Sequence, residues 1–224
     1  MSDSDGAEPL SSEELERVPV FPLPNAVFFP ATDLPLHVFE RRYRRMVEDC
    51  ITQECSAIVV TLLERGWERD YEGRPAIHEI GGIGRIVGHQ RLADGRHNIL
   101  LRGVSRVRIE EVDAGTLPYR LARATVLEDR GQADRTDVQA LIACAAPIVA
   151  AVRREHPEFG LGVDVGDPPG VVADRTADRL LADIALRQRV VETLDVGERL
   201  RIVTEAVGEI MAMLASRSKS RLLD

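Results

Sequence analysis

Between Val18 and Phe39 short apolar runs alternate with prolines: VPVFPLPNAVFFPATDLPLHVF holds Pro19, Pro22, Pro24, Pro30 and Pro35. Proline cannot donate to a strand ladder, so this stretch predicts short edge strands joined by tight turns. From Glu40 the period changes. Tyr43, Met46, Val47, Cys50 and Ile51 recur at helical spacing between arginines and acids, which predicts an amphipathic helix over residues 40–54. SAIVVTLLE (56–64) is a continuous β-branched run and reads as a buried strand. Residues 65–78, with Trp67 and Tyr71 among Gly66, Gly73 and Pro75, read as a long loop with aromatic anchors.

Two extended runs follow, 79–92 and 97–112, around Asp94-Gly95. Asp-Gly predicts a two-residue type I′ hairpin turn. That register pairs His97 with Leu92 and His89 with Leu100, on opposite faces of the sheet. Ile99, Leu101, Val107 and Ile109 share parity and predict one buried face. Gly81, Gly82, Gly84 and Gly88 in the first arm suit bulges or the sharp bends of a small barrel. A last strand spans 119–128.

Near residue 129 the character changes. EDRGQADRTD is a polar linker. From Val138 a helical stripe runs through Leu141, Ile142, Ala145, Val149 and Val152, with a kink expected at Pro147. His156–Gly170 reads as a loop, helix returns around Asp178–Leu194, and a last helix starts at an Asp195 cap with Glu198 three residues on. Its expected apolar stripe is Val203, Ala206, Val207, Ile210 and Leu214. The pattern therefore predicts an α+β chain: a mobile N-terminal segment (1–17), a β-rich open barrel with one early helix (18–128), a helical subdomain (129–217) and a polar tail (218–224). Within the first segment, Ser11 with Glu14 forms a weak capping signal.

The formal charge of −8 on 224 residues opposes general phosphate binding. The dense group Arg41, Arg42, Arg44 and Arg45 leaves a nucleic-acid module as the alternative, but Glu40, Glu48 and Asp49 flank it and a salt-linked helix face fits better. Lys219 is the only lysine among 29 basic side chains, and no glycine-rich phosphate loop precedes it. No G-x-S-x-G or H-E-x-x-H occurs, and His37 with Glu40 is a chance pairing rather than an acid–base pair. Three cysteines, Cys50, Cys55 and Cys144, fit neither a disulfide framework nor a zinc site. The N-terminus carries no signal peptide, and no apolar run approaches the ~20 residues that span a bilayer. These features predict a cytoplasmic protein without cofactor or metal.

FPLPNAVFFPATDLPLHVFERRYRRMVED (21–49) resembles the opening signature of the Lon protease N-terminal domain family. HEIGGIGRIV (78–87), DGRHNILLRGVSRVRI (94–109), RLLADIA (179–185) and ETLDVGERL (192–200) are similar to later family segments, in order. The resemblance covers about residues 18–215. It implies a pseudo-barrel of the PUA type followed by a helical bundle, without catalytic residues. It further implies recognition of unfolded or partner proteins, with no membrane and no cleavage. Two departures stand out: Ala31-Thr32 replaces the family's usual glycine after Phe-Pro, and the turn between Ile184 and Arg189 is shorter. The candidate partner surface is aromatic and apolar: Phe28, Phe29, Leu34, Leu36 and Trp67.

Overall fold

The structure, a computed structural model, describes residues 10–52, 57–70 and 73–220, the side chains of 217–220 excepted. Cys55, Tyr71 and most of the segments expected to be mobile at the two ends lie outside it. The fold is mixed α/β, and the chain divides into two compact units at Glu128/Asp129.

The first unit holds α1 (Ser12–Glu16), β1 (Val18–Leu23), β2 (Asp33–Val38), α2 (Arg41–Thr52), β3 (Ala57–Leu62), β4 (Ile80–Arg91), β5 (His97–Val112) and β6 (Arg120–Leu127). The six strands form one sheet. β1 pairs in parallel with β3 and antiparallel with β6, so despite Pro19 and Pro22 it is an interior strand rather than the expected edge. β3 pairs with β4, β4 with β5, and β5 with β6, which brings the pairing back to β1 in a closed circuit of five strands. β2 lies outside the circuit, paired to the first half of β5.

Two cores follow from this arrangement. Val18 and Val20, Ala57 and Val59, Ile83, Val107 and Ile109, and Ala122 and Ala124 come one set from each strand of the circuit and share one face, with Leu10 and Leu15 of the N-terminal segment packed against them. The opposite face of β1, β3 and β6, the first half of β5 and Val38 of β2 pack with α2 through Tyr43, Met46, Val47 and Cys50. Residues of equal parity on β5 fall into both cores: Ile99 and Leu101 lie with α2, Val107 and Ile109 inside the circuit. The cause is a bulge. Ile83 pairs with Ser105 but Gly84 with Gly103, so Val104 is the extra residue that flips all later side chains to the other face.

The glycines of β4 and β5 pass a crossing strand of backbone. A methyl group on Gly82 would fall 2.2 Å from the Phe28 carbonyl oxygen, and one on Gly103 2.1 Å from that of Phe29. Gly103 exchanges backbone hydrogen bonds with Thr32 (2.8 Å) and Ala31 (2.9 Å), and Ala31 takes φ +55° there.

The hairpin register differs from the expected one. The amide of Leu92 donates to Arg96 and that of Gly95 to Leu92, a three-residue loop with only Gly95 at positive φ. A type I′ turn needs positive φ at both central residues, and Asp94 does not adopt it. The consequence is Arg91 opposite His97 and His89 opposite Ile99, a shift of one residue that puts both histidines on the same face.

The segment expected to be mobile is pinned over its described part. Ser11 and Glu14 form a reciprocal capping box, and Glu14 makes a two-pronged ion pair with Arg85 at 2.8 and 3.1 Å.

The second unit is all helix: α3 (Arg135–Val152), α4 (Pro169–Leu180), α5 (Ile184–Glu192) and α6 (Val196–Ser220). α4 starts inside the stretch read as loop and about nine residues before the helix expected from Asp178, because Pro169 at the first turn starts a helix rather than ending one; that expected helix is split between the end of α4 and α5. α3 buries Val138, Leu141, Ala145 and Ile148 and runs on through Pro147. By length and composition it alone among the described helices could cross a membrane. The 129–131 stretch, expected to be a linker, is strapped down. Arg130 exchanges backbone hydrogen bonds with Leu194 and Val196, and Asp129 takes two hydrogen bonds from the fully buried Arg199 guanidinium at 2.8 and 2.5 Å. Asp174 faces the Nε of the same side chain at 3.3 Å.

Candidate protein-binding surface

The five residues proposed from sequence do not form one surface. Phe28 and Phe29 are buried. Their backbone crosses Gly82 and Gly103, and the Phe28 ring fills the space that a side chain at Gly84 would take. Thr32 locks the turn by donating its hydroxyl to the Phe29 carbonyl at 2.8 Å. These two phenylalanines are core and not the partner surface expected from sequence, because both side chains are shut off from solvent. The apolar doublet at a Phe-Pro turn carries no sequence signal that separates a docked aromatic from a displayed one.

Leu34 and Leu36 are half-buried against the α2-facing core. Trp67 is half-buried in a single 3-10 turn, Trp67–Asp70. It follows β3, whose neighbour Leu63 bridges to Ile77 just before β4 begins. Leu36 pairs with Ile99, which in turn pairs with His89 near the far end of β4. The leucines and the tryptophan therefore sit toward opposite ends of one long strand.

The sequence reading missed Phe39. It is 60% exposed, the largest exposure among the big apolar side chains described. Strand alternation could have found it. Leu34, Leu36 and Val38 turn inward, so Phe39, which continues the line of Asp33, Pro35 and His37, turns outward. Its ring lies against His37, whose Nδ1 is 2.7 Å from the Asn98 side-chain oxygen.

Three of the four arginines grouped on α2 lie against neighbours, and Arg41 is exposed. Arg42 donates to Glu40, Arg45 to Asp49, and the Arg44 guanidinium lies against the backbone at Gly95. Such internal pairing leaves little of the group for a phosphate backbone.

Two of the cavities lined by the described residues stand out by volume. One of about 750 Å³ lies beside α1, the end of α2 and β6, lined among others by Glu13, Glu14, Asp49, Cys50 and Tyr119. Several of its ionisable groups are held in pairs. Arg85 holds the Glu14 carboxyl down at about 2. Burial and the Asp49 carboxylate, which accepts its hydroxyl at 2.9 Å, push the Tyr119 phenol upward. The other, about 730 Å³, runs along α3 beside Ile142, Ala146, Val149 and Leu161, with Arg153 and Arg175 tied to the carbonyls of Phe159 and Gly162. No cluster of three His, Cys, Asp or Glu side chains suited to a metal occurs among the described residues.

Comparison with known proteins adds a family to this geometry. A family model described as the ATP-dependent protease La (LON) substrate-binding domain matches residues 17–208. The Lon protease of Anaeromyxobacter dehalogenans is 27% identical over 215 residues, which cover 94% of this chain and 25% of that protein. Lon protease 2 of Myxococcus xanthus is also 27% identical, with 94% and 26% covered. This chain thus spans about a quarter of the length of these proteases. Among solved structures, the N-terminal domain of the Mycobacterium avium complex Lon protease superposes with a TM-score of 0.65 at 20% identity, covering 86% of this chain and 98% of that one. The Lon N-terminal domain protein from Xanthomonas campestris gives 0.58 at 23%, covering 83% and 95%. At such identities the superpositions speak for the fold.

Proposed function

Because the chain belongs to the Lon substrate-binding domain family, we propose that it is a non-catalytic module that holds unfolded or partner proteins in the cytoplasm, its first unit built as a small PUA-like barrel. The family match across residues 17–208 carries this reading. The closed circuit of five strands supports the barrel. The engagement of Glu14 with Arg85 and of Asp49 with Tyr119 at the larger of the two cavities supports binding rather than bond-breaking.

Phe39, just past the end of β2 and on the opposite face from the half-buried Leu34 and Leu36, is the contact surface of this proposal, with the two leucines fixing it from the core side; Trp67 serves as a separate anchor. An exposed aromatic on a rigid strand end gives apolar contact at little entropic cost, as interface hot spots require. The test is binding of a fluorescent, permanently unfolded polypeptide to the full chain. Phe39→Asp is expected to weaken it about tenfold, the scale of one hot-spot side chain, while circular dichroism stays unchanged. Absence of binding by the unaltered protein at micromolar concentrations would refute the proposal. Binding equal in Phe39→Asp would refute the surface.

A further inference from the structure

Phe39 stands among cations that the fold leaves without acids. Its ring lies 6.4 Å from that of His37, and His37 Nε2 lies 3.1 Å from Arg96 Nη1 in the β4–β5 turn. Arginine can only donate, so Nε2 accepts and the ring proton sits on Nδ1, toward the Asn98 oxygen; His37 is fixed and neutral. Gly95, the residue before Arg96, lies under the Arg44 guanidinium: a methyl group there would fall 2.3 Å from Arg44 Nη2. Arg41 follows Phe39 by two residues and is exposed. These side chains make one stretch of surface, from the end of β2 over the hairpin turn to the first turn of α2. Its acids are spent within it. Glu40 holds Arg42 at 3.0 Å and Asp94 holds Arg96 at 2.6 Å, while Glu48, one turn further along α2, faces Arg91 and His97. Among the described residues Arg41 and Arg44 have no carboxylate partner, and Arg44 Nε is enclosed without a hydrogen bond. The most exposed of the large apolar side chains described thus sits beside two unpaired cations, on a chain whose total charge is −8.

We propose that this surface selects acidic apolar segments: extended stretches of unfolded chain in which an aromatic or large aliphatic side chain stands close to an aspartate or glutamate. The inference rests on the client-binding reading above and narrows it to one client chemistry. Phe39 covers the apolar side chain, and Arg41 with Arg44 takes the carboxylate. An extended client presents every second side chain on one face, about 6–7 Å apart, a spacing that a long arginine beside Phe39 spans. Charge complementarity supplies the choice among clients that apolar contact alone lacks. A nucleic-acid strand also offers rings and negative charge. Two unpaired cations are few for a backbone whose binding grows with each phosphate neutralised, and they are enough for one or two side-chain carboxylates.

The measurement is fluorescence anisotropy of the full chain with labelled, unstructured peptides of equal length. Each carries the same aromatic residues, flanked by Asp and Glu, by Asn and Gln, or by Lys. The acidic peptide is expected to bind about fivefold more tightly than the amide one at low salt, the scale of one or two exposed ion pairs. The lysine peptide is expected to bind most weakly, and high salt to bring all three together. Arg41→Gln, at an exposed site, is expected to reduce the acidic preference, and Arg41→Gln with Arg44→Gln to abolish it, with circular dichroism unchanged. Arg154→Gln makes the same charge change at an exposed position of α6's unit and is expected to keep the preference. Equal binding of the acidic and amide peptides by the unaltered protein overturns this inference and leaves the client-binding reading standing. A preference that survives the double substitution overturns the surface, and binding of none of the peptides overturns both readings. Oligouridylate bound more tightly than the acidic peptide, and weakened by the double substitution, assigns the surface to nucleic acid instead.

Discussion

Ala31 is the one non-glycine residue at positive φ among those described, and it stands where the resembled family carries glycine. The turn keeps its shape because Gly103 fixes it from both sides, through its amide to Thr32 and its carbonyl to Ala31. A left-handed conformation costs an L-residue about 1–2 kcal/mol, part of which glycine returns as chain entropy in the unfolded state. Ala31→Gly is therefore expected to stabilise the chain by up to about 1 kcal/mol, seen as a higher midpoint in urea with unchanged slope. A destabilised variant would mean that the alanine methyl makes a contact worth more than the strain. Arg199 illustrates the opposite situation at the same scale. It is a full charge with no exposure, made tolerable by Asp129, Asp174 and the Thr193 carbonyl at 2.9 Å.

Elements obey their local patterns better than their termini do. α2 was legible because Tyr43, Met46, Val47 and Cys50 repeat at helical spacing, and all four are buried. The start of α6 was legible because Asp195 accepts from the Glu198 amide, a cap written in the sequence. The hairpin was legible as a hairpin but not in register, since Asp-Gly suits both a two-residue and a three-residue loop and only the φ of Asp94 decides. β1 was misread as an edge because a proline in a strand says nothing about which neighbours it can keep on its carbonyl side. The candidate surface was the least legible part, because burial of Phe28 and Phe29 depends on glycines more than fifty residues away. Among the short elements, α1 depends on Glu14 and Arg85. The folded carboxyl titrates at about 2 against an ordinary 4.5, so its contribution is complete above pH 4.5 and is lost as pH falls toward 2. After screening by solvent this amounts to about 1–2 kcal/mol. Glu14→Gln is expected to flatten the acid limb of a pH–stability curve in that window. An unchanged limb would leave α1 without its pin.

At the level of the whole chain, the division at Glu128/Asp129 makes two bodies with separate cores. The boundary residue Asp129 belongs energetically to the helical body, through Arg199. Asp129→Ala, which leaves part of a buried charge unpaired, is expected to cost that body about 3 kcal/mol. Amide exchange would show faster exchange in α4 and α6 with β1–β6 unchanged; a uniform loss across both would show that they unfold together. The closed strand circuit has a further consequence. Five strands paired in a circuit leave shorter open margins than a flat sheet, although only Val18–Val20 and Arg120–Ala122 join β1 to β6, and the strands that project from the circuit are interrupted, β2 by Pro35 and the far half of β4 by the extra residue at Val87. A receptor for unfolded chains lives among molecules eager to stack onto any bare sheet margin. Under the proposed function, this architecture would let the chain grip such clients by side chains while giving them little template on which to grow fibres.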